Sequence, residues 1–231
     1  MDWNKELEYE NWNKEITNST EKELVAKKVA NFVKDGDVIG FGSGSTSFIA
    51  IKEIAKKIKN ENLNITAIPT SYEIKMLCMS MGIKTASIME KKPDWCFDGA
   101  DEVSPEGWLI KGRGAAMFKE KLNISSAMKT YILVDSSKMV NRLCEKFPIP
   151  VEVFPEAISY VKEQLCSLGA SSCILRTALK KDGPVVTENN NFILDTIFEN
   201  VNYDLEKQIK QIPGVVESGL FIGYDNVEVL R

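Results

Sequence analysis

The chain contains no histidine. Acid–base chemistry near neutral pH must therefore fall to carboxylates, lysine, tyrosine or cysteine. Paired cysteines are also missing. Cys78, Cys96, Cys144, Cys166 and Cys173 are odd in number, scattered, and form no C-x-x-C. That spacing argues for reduced thiols in a cytoplasmic compartment and against a disulfide framework. Without histidine or cysteine pairs a transition-metal site lacks its usual ligands, and composition leaves open only an all-oxygen Mg²⁺ site. No apolar run approaches the ~20 residues of a membrane-spanning helix, so no membrane partner is expected. There is no basic excess: 29 Lys and Arg stand against 33 Asp and Glu, a formal charge of −4. No basic face is evident, which argues against nucleic acid as a partner. An anionic substrate would need a local positive site. The N-terminal stretch MDWNKELEYENWNKEI is acidic and lacks the apolar core of a signal peptide. Residues 1–19 read as an N-terminal extension, in which Trp3 and Trp12 are candidates for packing on the body or on a neighbouring subunit.

What is present reads as strands alternating with helices. Thr20-Glu-Lys-Glu23 is a capping-box pattern, and Val25, Val29 and Phe32 follow at helical spacing. Asp37–Phe41 reads as a strand, Gly42–Thr46 as a turn, and Ser47–Lys59 as a helix with Ile51, Ile54 and Ile58 inward. Strands are expected at 65–69, 84–88, 95–97 and 131–134, and helices at 72–81 and 115–128. This rhythm predicts an α/β domain with a mostly parallel sheet. After Phe147-Pro-Ile-Pro150 the order becomes strand-helix-strand twice over, the split β-α-β pattern of a ferredoxin-like α+β module. The expected boundaries are 20–146 plus 223–231 for the α/β domain and 147–222 for the smaller one. Glu217–Ile222 is expected as the last strong strand, and Val227–Leu230 is expected to return to the main sheet.

Chemistry concentrates in residues 95–121. Asp98, Asp101 and Glu102 follow a short apolar strand, Lys111 opens the loop Lys-Gly-Arg-Gly114, and Glu120 lies in the next helix. Carboxylates and a lysine suffice to move protons beside a carbonyl. Open α/β sheets bind ligands at the carboxyl ends of their strands, where Asp98 is expected. A lysine in close-approaching backbone, with its neighbouring amides, can hold an oxyanion. About two turns into a helix that otherwise is expected to bury Ala116, Leu122 (or Phe118) and Ile124, a lone Glu120 would by default be a solvated residue, and a lone Asp98 a turn residue. The case rests on their combination. Gly42-Ser-Gly-Ser-Thr46, between a strand and a helix, is a phosphate cradle in outline, with Lys22 and Lys138 as candidate counter-ions. It lacks the Gly-Lys-Ser/Thr of a P-loop and the last glycine of a dinucleotide fingerprint. A simple phosphate ester fits it better than a nucleotide.

These segments, with Asp135-Ser-Ser-Lys138, Phe147-Pro-Ile-Pro-Val-Glu-Val153 and Pro213-Gly-Val-Val216 through Phe221, together resemble type A ribose-5-phosphate isomerase. The matches run in order from about Lys22 to Phe221. The resemblance implies an aldose–ketose isomerase of the non-oxidative pentose phosphate pathway. It would interconvert D-ribose 5-phosphate and D-ribulose 5-phosphate through a cis-enediolate, with no metal and no cofactor. It implies a Rossmann-like catalytic domain, with a mostly parallel sheet, carrying a smaller ferredoxin-like α+β domain, assembled as a homodimer or homotetramer. It assigns Glu120 as general base. Asp98 and Asp101 would open the furanose ring and shuttle hydroxyl protons, and Lys111 would hold the enediolate oxygen. Ser43, Gly44, Ser45, Thr46, Asp98, Gly99, Ala100, Asp101, Lys111, Gly112, Arg113, Gly114 and Lys138 match substrate-binding segments, to which Lys22 is added as a counter-ion candidate. Many relatives carry Thr at Ser43 and Gly at Arg113; the second difference adds bulk and charge inside the loop. The rival readings are a sugar-phosphate sensor on the same fold, an acyl-CoA transferase with a glutamate nucleophile, and an interaction module. The presence of both Lys111 and Glu120 argues against the sensor, and the acid–lysine–glycine cluster against the interaction module.

Overall fold

The computed structural model describes residues 16–231. Trp3 and Trp12, and all but the last few residues of the expected extension, lie outside the described residues. The chain forms two compact units. One contains the residues up to Gly99 together with Lys119–Ser137 and Asp225–Arg231; the other contains Ala100–Phe118 and Lys138–Tyr224. Each has its own apolar core.

The first unit is a five-stranded parallel sheet. Its strands are β1 (Val38–Phe41), β2 (Thr66–Pro69), β3 (Trp95–Asp98), β6 (Lys129–Leu133) and β12 (Val227–Leu230), in the order β12-β6-β3-β1-β2. Buried on both faces, such strands need short continuous apolar runs rather than alternation, which is what Val-Ile-Gly-Phe in β1 supplies. Helices α1 (Ser19–Ala30), α2 (Ser45–Glu61) and α3 (Tyr72–Ser80) pack their apolar stripes into this core, among them Val25, Val29, Ile51, Ile54, Ile74 and Leu77. Phe32, expected on the buried face, is instead 39% exposed and stacks on Tyr131, ring centroids 4.6 Å apart. The strand expected at 84–88 shrinks to one bridge between Thr85 and Ala67. The chain turns away at Ser87, whose N–H donates to the Glu90 carboxylate at 2.7 Å. The terminal strand β12 does join the sheet, parallel to β6.

The strand order places a topological switch between β1 and β3. From β1 the chain moves to one side to form β2, then crosses back to the other side to form β3. The carboxyl ends of β1 and β3 are Phe41 and Asp98. A switch point at the carboxyl ends is where open α/β sheets open a crevice.

The second unit holds β7 (Ile149–Val153), β8 (Ala170–Leu175), β9 (Phe192–Phe198) and β10 (Val215–Ser218), antiparallel in the order β10-β7-β9-β8. Helices α5 (Ile158–Ser167) and α6 (Leu205–Lys210) complete the expected β-α-β-β-α-β order. A second small sheet joins β4 (Glu102–Val103), β5 (Leu109–Ile110) and β11 (Leu220–Phe221). The single strand expected over Glu217–Ile222 is thus two strands in two sheets, broken at Gly219. A Cβ there would lie 2.1 Å from the Lys111 carbonyl oxygen, so only glycine lets the chain pass. Gly219 also accepts from the Lys111 N–H (2.9 Å) and donates to Pro150 (2.7 Å). These bonds, with the β5–β11 pairing, are why residues 100–118 group with the second unit although the sequence-based boundary lay at 146/147.

Candidate active site

In the first unit, the turn after β1 meets the end of β3. Gly42 donates its N–H to Phe97 at 2.9 Å, and a Cβ on Gly42 would fall 2.2 Å from Asp98 Cγ. Asp98 is 2% exposed, and its Oδ1 accepts the Gly99 N–H at 2.7 Å. The next residues start α2, with Gly44 at its N-cap. Seventeen residues of helix therefore point their positive end at this turn. Lys22, a cation in the first turn of α1 where the helix dipole disfavours it, is 4% exposed. Its Nζ donates to Ser45 Oγ at 3.2 Å and lies 3.8 Å from Asp135 Oδ2. Asp135 explains that placement, because a local carboxylate outweighs the helix dipole. Burial raises the Asp135 pKa, but hydrogen bonds from Ser137 and Asn18 and the Lys22 charge more than offset it, leaving the group below its ordinary value. The same turn is tied to α1 through Glu21, which accepts from the Ser136 N–H at 2.7 Å. A cation and a hydroxyl are thus held at a helix N-terminus, a suitable setting for a phosphate.

Ser43 brings in residues that sequence reasoning missed. Its hydroxyl lies 2.7 Å from Thr70 Oγ1 and donates to Ser71 Oγ at 3.1 Å. Thr70 and Ser71 follow β2 and would have been legible only as hydroxyls at a strand's carboxyl end. Glu120 lies in α4 (Met117–Ser126), in its first turn rather than two turns in. It is 4% exposed. The buried positions of α4 are Met117, Glu120, Lys121, Asn123 and Ile124, while Leu122, expected in the core, is 38% exposed. A solvated-face role for Glu120 is therefore ruled out by burial.

In the second unit, Asp101 Oδ2 accepts the Arg113 N–H at 3.1 Å, which ties the acid to the Lys111 loop. Lys111 is 2% exposed, with Nζ 5.7 Å from the centroid of the Phe221 ring. Glu102, the third acid, has a structural job. It is fully buried in β4, and Oε1 accepts the N–H groups of Lys146 (2.5 Å) and Phe147 (2.7 Å). This fixes the Phe147 ring, over which both Arg113 (5.5 Å) and Lys138 (5.3 Å) lie. Two cations on one aromatic ring give this face a positive character. Ala100, Gly112 and Gly114 supply backbone in the same segment.

The family model for ribose 5-phosphate isomerase A (phosphoriboisomerase A) matches residues 66–230. The ribose-5-phosphate isomerase A of Methanothermobacter thermautotrophicus is 45% identical over 204 residues, covering 87% of this chain and 89% of that one. The enzyme of the same name from Methanocaldococcus jannaschii is 44% identical over 217 residues, covering 93% and 95%. This chain belongs to the ribose-5-phosphate isomerase A family. The solved M. jannaschii isomerase A superposes with a TM-score of 0.88 at 43% identity, over 92% of this chain and 95% of that one. A solved D-ribose-5-phosphate isomerase in complex with phospho-erythronic acid superposes equally well, at 40% identity over 93% and 95%. As a member of that family the chain is an isomerase, with the mixed α/β architecture of its solved relatives. Among the described residues, no helix is long and apolar enough to cross a membrane.

Proposed function

We propose that the chain interconverts D-ribose 5-phosphate and D-ribulose 5-phosphate through a cis-enediolate, with Glu120 as the general base. The observation that carries this reading is the burial of Glu120 on α4, at a helix position that a merely solvated glutamate would not occupy. In the aldose-to-ketose direction the Glu120 carboxylate takes the proton from C2. The electrons form the C1–C2 double bond, and the carbonyl oxygen gains negative charge. Glu120 then returns the proton to C1 as the C2 carbonyl forms. Between these steps a proton must leave the C2 hydroxyl and reach the C1 oxygen. Asp98 and Asp101 are assigned this exchange and the opening of the furanose ring. Lys111, with the loop amides, stabilises the oxygen charge. Ser43 to Thr46, Lys22 and Lys138 hold the phosphate, which anchors the substrate away from the reacting carbons. The ligand of the solved relative supports this assignment by its chemistry. Phospho-erythronic acid carries a phosphate and a planar carboxylate, as the enediolate of a sugar phosphate carries a phosphate and a planar pair of oxygens.

The test is ribulose 5-phosphate formation from ribose 5-phosphate in EDTA, for the parent and Glu120→Gln, in D₂O as well as H₂O. A positioned general base contributes about 10²–10⁴-fold, and Glu120→Gln is expected to lose that much in kcat while still binding phosphate esters. The parent should keep its rate in EDTA and incorporate solvent deuterium at C1 of the ketose. Near-normal turnover in Glu120→Gln would remove Glu120 from the role. Transfer with no solvent deuterium at any extent of reaction would point to a hydride shift instead.

A further inference from the structure

The Lys111–Gly114 loop is held from behind by an arginine. Arg176 directly follows β8, and Asp195 lies in β9 opposite Ile174. Two residues apart along the strand direction, Arg176 and Asp195 share a face of the sheet. Asp195 grips the guanidinium in a fork: Nε donates to Oδ2 at 2.9 Å and Nη2 to Oδ1 at 2.5 Å. This is the bidentate geometry that fixes a guanidinium in one plane. The remaining nitrogen, Nη1, carries two hydrogens. It donates to the carbonyl oxygens of both Gly112 and Arg113, each at 3.1 Å. The pair is largely sheltered, with side chains 16% and 23% exposed.

Peptide planarity turns these two bonds into an orientation of the loop. The carbonyl of Gly112 and the N–H of Arg113 belong to one peptide plane and point in opposite directions. Drawing the Gly112 carbonyl onto Arg176 therefore aims the Arg113 N–H away from it. That N–H does meet Asp101 Oδ2 at 3.1 Å. By the same argument, holding the Arg113 carbonyl aims the Gly114 N–H away from Arg176. The turn is closed by the Ala115 N–H on the Gly112 oxygen at 3.0 Å, and Ala115 sits at φ 64°, a conformation that costs an alanine energy. A glycine-flanked turn that ends in a strained residue needs an outside clamp to hold one shape. The positive guanidinium also polarises both peptide units, which strengthens their N–H groups as donors.

We propose that Arg176, aligned by Asp195, is a positioning residue that presents the loop amides and Lys111 to the oxygen that gains charge in the reaction. The proposal rests on the reading of Lys111 given above. It extends that reading to Asp195 in β9 and to Arg176, which directly follows β8.

Arg176→Lys keeps the charge but cannot both fill the fork and reach two carbonyls. It is expected to lower kcat for ribose 5-phosphate by about 10²-fold, the scale of a misplacement of about 1 Å, with KM within about twofold. Amide hydrogen exchange at residues 112–115 should rise about tenfold in the same variant, whatever its activity. Arg176→Ala should regain turnover in low-millimolar guanidinium chloride but not in equal sodium chloride. Asp195→Asn should lose less than Arg176→Lys, and the double variant no more than Arg176→Lys alone, because the two act as one device. Arg176→Lys with parental kcat, a loss confined to KM, or multiplying losses in the double variant would overturn the proposal. Lys111→Ala is measured alongside. If it turns over normally, the reading of Lys111 fails and this proposal falls with it. If it is inactive while Arg176→Lys has parental kcat and exchange, only the positioning role fails.

Discussion

Replacing Gly42 by alanine tests whether the ends of β1 and β3 are packed backbone to backbone. The added Cβ would lie 2.2 Å from Asp98 Cγ and Oδ1, and 2.5 Å from Asp98 Cα. Carbon atoms prefer about 3.5–4.0 Å, so roughly 1 Å is missing. The Asp98 carboxyl can rotate away, but its Cα belongs to β3 and moves only with the strand. Separating the two strand ends strains the Gly42–Phe97 hydrogen bond, a net loss of about 0.5–1.5 kcal/mol. Overpacking in a filled site adds about 1–3 kcal/mol. The sum is about 2–4 kcal/mol, which at about 2–4 °C per kcal/mol for a chain of this size lowers Tm by roughly 5–15 °C. Gly99→Ala is the control from the same neighbourhood. Its Cβ would meet nothing closer than the Leu133 carbonyl oxygen at 3.9 Å. Its Tm should stay within about 2 °C of the parent, as expected for a change of about 0.5 kcal/mol. Differential scanning calorimetry of the three proteins decides. A Gly42→Ala melt indistinguishable from Gly99→Ala would refute the argument that these strand ends leave no room. If Asp98 works on substrate, Gly42→Ala should also lower kcat by about 10²-fold, because the acid shifts with its strand.

Asp135 has a lowered pKa in the folded chain, so its contribution to stability is present above the ordinary aspartate value of 3.8 and is lost as pH falls through the lower folded value. Asp135→Asn should therefore be less stable than the parent at pH 7 and flatter in acid, with the two urea-unfolding curves converging below pH 4. Burial pushes the Cys78 thiol up from 9.0 to about 12. Between those values the unfolded chain loses the proton that the folded chain keeps, so stability falls by about 1.4 kcal/mol per pH unit. Cys78→Ala should remove that slope from the alkaline urea titration. Burial likewise raises the thiols of Cys144 and Cys173, and Cys166 is the exposed cysteine. At pH 8, Ellman's reagent should modify Cys166 fast and Cys78 only after unfolding.

Helix and strand alternation, the ferredoxin-like order and the crowding of Asp98, Asp101, Lys111 and Glu120 into one short stretch of sequence could be read directly from the chain. Apolar runs and glycine turns are local signals, and local signals survive in a linear text. The absence of histidine likewise narrowed the possible acids and bases before any fold was known. Burial and pairing were not local. Glu120 reads in sequence as an ordinary surface glutamate, and only the packing of α4 buries it while leaving Leu122 outside. Glu102 looked like a third site acid, yet the second unit spends it on two backbone N–H groups. Lys22 looked misplaced until Asp135, more than a hundred residues on, came within 4 Å. Glu217–Ile222 reads as one strand, and only the approach of the Lys111 carbonyl splits it at Gly219. Arg176 and Asp195 carried no motif at all. Their meaning depends on a strand register and on two carbonyls more than sixty residues away in sequence. The sequence by itself determined which elements form and which functional groups are available. The tertiary structure decided which of those groups are buried, what each one touches and which way the loop amides face, because those properties depend on contacts between segments far apart in the chain.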